Sequence, residues 1–164
     1  MSQAMKIGFG GGCHWCTEAV FQTLRGVGEV EQGFIRSDEP YDEFSEAVIV
    51  TYDPDEISLD ILMEVHLRTH ASTSRHKMRG KYRSAIYIFD EDDHAQIADL
   101  LRALQDGFDE KLVTQLLQFQ EFKPSDERFQ NYFQKDPEKP FCRTYIDPKL
   151  KLIREEFGSR MKDF

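Results

Sequence analysis

The chain has 164 residues, of which 40% are hydrophobic and 31% charged, and a formal net charge of −9. That size and balance fit a folded globular domain and exclude a disordered chain. The acidic excess argues against nucleic acid or an anionic membrane as the main partner, and no apolar run approaches the roughly 20 residues of a membrane span.

Met1 to Lys6 lacks the charged-then-apolar pattern of a secretory signal. The three cysteines, Cys13, Cys16 and Cys142, are too few and odd in number for a disulfide framework. The expected compartment is therefore the reducing cytoplasm, and the expected state a monomer. No repeat, low-complexity tract or linker divides the chain, so residues 1–164 read as a single domain.

In chain order, Lys6 to Phe9 predicts a short strand running into Gly10, Gly11 and Gly12. A helix over Cys13 to Leu24 puts Ala19, Val20, Phe21 and Leu24 on a core face, and Gly26 ends it. Val27 to Ile35 predicts a second strand, and a polar loop with Pro40 and Tyr41 follows. Ala47 to Tyr52 is apolar on both faces, the pattern of a buried strand. Ser58 caps a helix from Leu59 to about Thr69 with Leu59, Leu62 and Val65 or His66 inward. A basic loop, Ser72 to Lys81, leads to a strand over Tyr82 to Phe89.

This order of strand, helix, strand, strand, helix, strand is the ferredoxin-like split βαβ pattern, βαββαβ, in the α+β class. A C-terminal helical and irregular extension follows. Asp90 to Phe108 predicts an amphipathic helix. Leu112 to Phe122 predicts a strand, with helix as the alternative because Gln115, Gln118 and Gln120 interrupt it. Pro124-Ser125 opens a short helix to about Phe133. Residues 136–140 form an irregular segment delivering Cys142, and Asp147-Pro148 starts a last helix to about Phe157.

The chemistry concentrates at Gly10-Gly11-Gly12-Cys13-His14-Trp15-Cys16-Thr17-Glu18. A cysteine at a helix N-terminus lies near unpaired N–H groups and the positive end of the dipole, which favours the thiolate. Four readings of Cys13 and Cys16 stand open. They are two buried hydrophobes, half a zinc site completed from Cys142, His14, His70 or His76, a thioredoxin-like dithiol, or a thiolate attacking a small electrophile and regenerated through a disulfide. The fourth needs an acid. Glu46 shares a strand face with Val48 and Val50, where desolvation would keep a carboxyl protonated; a strand-end glutamate reaching solvent is the alternative. His66, His70 and His94 read as helix-face residues rather than ligands.

Gly11 to Glu18 resembles the Gly-Cys-Phe-Trp-Cys/Gly-x-Glu signature of the A-type peptide methionine sulfoxide reductases. Glu46-Ala47-Val48 with Tyr52-Asp53-Pro54, Gly80 to Tyr87, and Phe122 to Tyr132 followed by Pro140-Phe141-Cys142 resemble further segments of that family in the same order. The resemblance implies reduction of methionine S-sulfoxide, free or in peptides, with no metal or organic cofactor. By that resemblance Cys13 is the nucleophile, Glu46 the proton donor and Tyr82 a hydrogen bond to the sulfoxide oxygen. Trp15 is a wall for the substrate methyl, in a substrate-binding set with His14, Tyr41 and Tyr132. A sulfenic acid at Cys13 would condense with a second cysteine, and thioredoxin would reduce the disulfide.

The chain departs from the family pattern in three places. His14 stands where the family has Phe, and its imidazolium would favour a Cys13 thiolate. The loop before Glu46 is short, so Tyr41 takes the second tyrosine role by position only. Arg75, His76 and Lys77 stand where the family has an acid. By the resemblance Cys142 stands where the family's C-terminal recycling cysteine sits, on a proline-bounded stretch expected to swing over Cys13. Cys16 is the local alternative, but a bridge between residues i and i+3 would strain the first helical turn, so Cys142 is preferred.

Overall fold

Strand β1 (Met5–Gly10) lies inside a sheet built from β2 (Val27–Arg36), β3 (Ser45–Tyr52), β4 (Ala85–Ile88), β5 (Gln115–Gln118) and β6 (Glu121–Pro124). The computed structural model describes residues 4–74 and 82–162. Among these, the strands form one six-stranded sheet in the order β5-β4-β1-β3-β2-β6. β5 runs parallel to β4, and the other pairs are antiparallel. The helices are α1 (His14–Gln22), α2 (Leu59–Arg68), α3 (His94–Gln105), the single turn α4 (Tyr132–Lys135) and α5 (Asp147–Phe157). The fold is mixed α+β, and no helix among the described residues is long and apolar enough to cross a membrane.

β3 is buried on both faces because each face meets a different core. Val48 and Val50 join Ile7, Phe9, Phe21 and Leu62 on the helix-covered side, where the Phe9 and Phe21 rings stack 4.7 Å apart. Ala47 and Ile49 join Ile35, Ala85 and Tyr87 on the opposite side. The core residues expected on α1, Ala19, Val20, Phe21 and Leu24, are all buried, as are Leu62, Val65 and His66 on α2, whereas Leu59 at its start is only half-buried. Apolar residues alternating across one strand thus build two cores at once.

The stretch 112–122 differs most from its prediction. It forms neither one strand nor a helix but two four-residue strands on opposite edges of the sheet. Phe119 and Gln120 alone separate them, and such a link reaches only about 10 Å, so the sheet is curled until its edges meet at one end. Phe119 N–H bonds to the Ile88 carbonyl at 2.9 Å and Gln120 N–H to the Arg36 carbonyl at 3.1 Å, joining the ends of β4 and β2. The interrupting glutamines are satisfied there: Gln115 donates to Tyr41 Oη and Gln120 to Asp38. The concave side has little room. A Cβ at Gly8 would come within 2.8 Å of Tyr87 Cβ, so the curl needs glycine at that position.

Other boundaries move for local reasons. β4 begins at Ala85, leaving Tyr82 in the approach to the strand. The Asp90 carboxylate accepts from Asp92 N–H and caps a 3-10 turn, so α3 starts only at His94. The short helix expected from Pro124 to Phe133 is broken by Asn131 in the left-handed region, at φ 56°. Arg75, His76 and Lys77, where the family acid was sought, lie outside the described residues.

Candidate active site

The end of β1 delivers Cys13 through a glycine turn that leaves no room for a side chain at Gly11. Gly11 has φ 151°, and a Cβ there would lie 2.5 Å from the His70 ring. Cys13 is the N-cap of α1, in extended conformation, rather than its first helical residue. Its carbonyl accepts from the N–H groups of Cys16 (3.1 Å) and Thr17 (3.2 Å). The thiol is half-buried. A hydrogen bond from the Cys16 thiol, opposed by burial, lowers the Cys13 pKa below that of an ordinary thiol; the Trp15 and Cys16 N–H groups add to the lowering and the Glu46 charge resists it. The same hydrogen bond, with burial, drives the Cys16 pKa far up. Cys13 is thus the more acidic thiol of the pair and Cys16 the less acidic one.

Glu46 lies on β3 opposite Phe34 of β2 and is 6% exposed. It does not reach out to solvent. Its Oε1 accepts from the backbone N–H of His14 at 3.2 Å, which fixes the carboxyl one residue from the nucleophile. His14 is equally buried, its ring edge-on to Phe34 at 5.1 Å.

Trp15 is enclosed by aromatic rings. Tyr132 stacks on it at 4.3 Å, Phe129 lies 5.3 Å away, and Phe141 meets it edge-on at 5.2 Å. The clamp behind this box is Glu18, fully buried at the far end of the motif. Its carboxylate accepts from the N–H groups of Asn131 (2.9 Å) and Tyr132 (3.2 Å) and from Gln32 Nε2 (2.9 Å). Burial raises the Glu18 pKa, and these donors oppose the rise. Burial, then the charges of Cys142 and Cys13, raises the pKa of the Tyr132 phenol.

Cys142 is not presented on an open, swinging segment. It is 0% exposed, at the start of a π-helical turn (Cys142–Ile146) that leads into α5, because Cys142 and Ile146 pack into the helix-side core. Its Sγ donates to the Asp136 carbonyl at 3.5 Å, and burial pushes its pKa up. Tyr82 is half-buried just before β4. Tyr41 contacts Gln115 through its hydroxyl and the Arg83 guanidinium through its ring, at 5.7 Å, on the β4–β5 side.

Lys149 carried no recognisable signal in the chain. Lys149 of α5, His66 and His70 line a small cavity behind Cys13 and Cys16. Burial lowers the Lys149 pKa while the two thiols pull it back up, and its ammonium donates to the Thr69 carbonyl. His66 Nε2 lies 2.7 Å from the Gly10 carbonyl, and His70 Nε2 lies 2.7 Å from Ser84 Oγ, so these helix-face residues tie α2 to β1 and to the approach to β4. Arg83 is buried and donates to Tyr87 Oη and to the Ile35 and Glu43 carbonyls. Among the described residues no group of three or more His, Cys, Asp or Glu is gathered to hold a metal.

A half-buried N-cap thiol of lowered pKa, a second thiol hydrogen-bonded to it and a buried carboxyl beside it define a thiol-dependent oxidoreductase site. The family model for peptide methionine sulfoxide reductase matches residues 5–161. A peptide methionine sulfoxide reductase MsrA of Deinococcus radiodurans is 32% identical, covering 94% of this chain and 82% of that protein. Its counterpart from Acinetobacter baumannii is 32% identical over 99% of both. Among solved structures, reduced Mxr1 from Saccharomyces cerevisiae superposes with a TM-score of 0.69 at 22% identity, over 87% of this chain and 91% of that one. Methionine sulfoxide reductase A of Corynebacterium diphtheriae also gives 0.69 at 22% identity, over 84% and 77%. The chain belongs to the peptide methionine sulfoxide reductase family.

Proposed function

We propose that this protein reduces the S epimer of methionine sulfoxide, free or in peptides, through the Cys13 thiolate. The observation that carries the reading is the hydrogen bond from His14 N–H to Glu46 Oε1, which holds a buried carboxyl beside the nucleophile. Cys13 attacks the sulfoxide sulfur while Glu46 gives a proton to the oxygen. The sulfur–oxygen bond breaks, methionine leaves, and Cys13 is oxidised to the sulfenic acid. The substrate sulfur gains the two electrons that Cys13 loses. Tyr82 bonds the oxygen, Trp15 with His14 and Tyr132 receives the methyl end, and Tyr41 serves as the second tyrosine.

The sulfenic acid then condenses with a thiol and releases water, and a dithiol such as thioredoxin reduces the disulfide. Cys142 is the recycling cysteine of this reading. The hydrogen bond between Cys16 and Cys13 supports Cys16 as an intermediate partner, and N-cap and third helical position are less strained for a bridge than two residues within the helix. Yeast Mxr1 has been solved in complex with Trx2, which supports a thioredoxin-type reductant. Free cysteines at all three positions fit a reducing cytoplasm.

We further take β1–β4 with α1 and α2 as a ferredoxin-like core within residues 1–164. The antiparallel order β4-β1-β3-β2 supports this, with β5 and β6 as additions at the edges. The test of function is incubation with dithiothreitol and each methionine sulfoxide epimer separately. Loss of the S form alone is expected, and loss of neither form, or of the R form alone, overturns the reading.

A further inference from the structure

His14 faces Glu46 through its ring as well as its backbone. Its Nδ1 lies 2.7 Å from the Gly33 carbonyl oxygen. A carbonyl can only accept, so Nδ1 carries a hydrogen. The other ring nitrogen, Nε2, lies 3.4 Å from Glu46 Oε1, with both side chains buried. β2 therefore fixes the tautomer, and β3 supplies a carboxyl opposite the nitrogen that titrates. A neutral acid beside a neutral imidazole and a carboxylate beside an imidazolium each hold one proton between the two groups, with no net charge.

Resting on the reductase reading above, we propose that His14 is a positioning residue that shares with Glu46 the proton delivered to the sulfoxide oxygen. The Cys13 thiolate, that proton and the sulfoxide together give the sulfenic acid and the sulfide. The pair is left deprotonated and recovers its proton from solvent before the next turnover. Around the pair, the start of α1 contributes the Cys13 thiol, whose thiolate the Glu46 charge opposes. β2 contributes the Gly33 carbonyl and the Phe34 ring, and exposed Lys123 of β6 pairs with Phe34 in the sheet. The Arg83 guanidinium is committed to Tyr87 and to the Ile35 and Glu43 carbonyls.

Two measurements on the reduced full chain test this. In the first, ring-15N histidine spectra follow His14 against pH in the native protein and in Glu46→Gln, which keeps the shape of the carboxyl without its charge. The His14 midpoint is expected to fall by about one pH unit or more in the variant; coincident titrations overturn the proposal. In the second, kcat/KM for the S-sulfoxide is followed against pH in His14→Gln, whose amide reaches the Nε2 position but cannot carry a proton. The loss at pH 8 is expected to exceed the loss at pH 6 by about tenfold, a difference that a purely structural role would not produce. An equal loss at both pH values overturns the proposal. If the native protein reduces neither epimer, the reductase reading falls while the histidine titration still decides the pair: a lowered midpoint supports it and a coincident one overturns it.

Discussion

Trp15 and Tyr132 lie face to face, their ring centroids 4.3 Å apart and their planes within 10° of parallel. Glu18 holds them so from beneath, by accepting the backbone N–H of Tyr132 and of Asn131 before it. Replacing Glu18 with alanine leaves these donors without their acceptor, at a cost on the order of 2 kcal/mol. The thermal midpoint should fall by about 4–8 °C for a chain of this size, measured by circular dichroism. Trp15 is the sole tryptophan, so Glu18→Ala and Tyr132→Ala should both shift its emission to the red as the stack opens.

The hydrogen bond from Cys16 is the largest influence on the Cys13 thiol and it lowers the pKa. In Cys16→Ala this donor is gone, so the Cys13 pKa rises and less thiolate is present at pH 7. Alkylation of Cys13 by iodoacetamide, in a Cys142→Ser background, should slow at pH 7, with its pH midpoint displaced upward. An unchanged midpoint would show that the backbone N–H groups alone set the thiolate.

Cys13→Ser should abolish turnover with any reductant, because the hydroxyl is a far weaker nucleophile at its ordinary pKa. Cys142→Ser should release about one methionine per enzyme and then stall with thioredoxin. Sustained thioredoxin-linked turnover in that variant would transfer the recycling role to Cys16. Counting methionine released in the absence and presence of thioredoxin separates the two.

Arg83 spans the concave side of the sheet, bonded to Tyr87 Oη and to the carbonyls of Ile35 and Glu43. In Arg83→Met the aliphatic volume is largely kept, but buried acceptors lose a charged donor. The loss should be roughly 3 kcal/mol, read as a lower urea midpoint with an unchanged slope.

The elements legible in the chain are those whose signal is local. β3 was readable from its run of β-branched residues, α1 from its apolar spacing, and Cys13 as a candidate reactive thiol from glycines leading a cysteine into a helix. Motif order from Gly11 to Cys142 pointed to the family, and the family match over residues 5–161 agrees. The stretch 112–122 was not legible, because its break at Phe119-Gln120 depends on the ends of β2 and β4 meeting there. Lys149 was equally silent: a lysine in an amphipathic helix looks like any solvated one until α5 packs behind the thiols.

The reactive groups were thus determined by the sequence: a cysteine at a helix start, a second thiol three residues on, and a glutamate leading a buried strand. Tertiary structure decided their states. Which of Cys13 and Cys16 is the more acidic depends on burial and on the hydrogen bond between them, and whether Glu46 meets solvent or His14 and whether Cys142 is open or buried depend on packing between segments tens of residues apart. Those quantities exist only once the chain has brought the groups together.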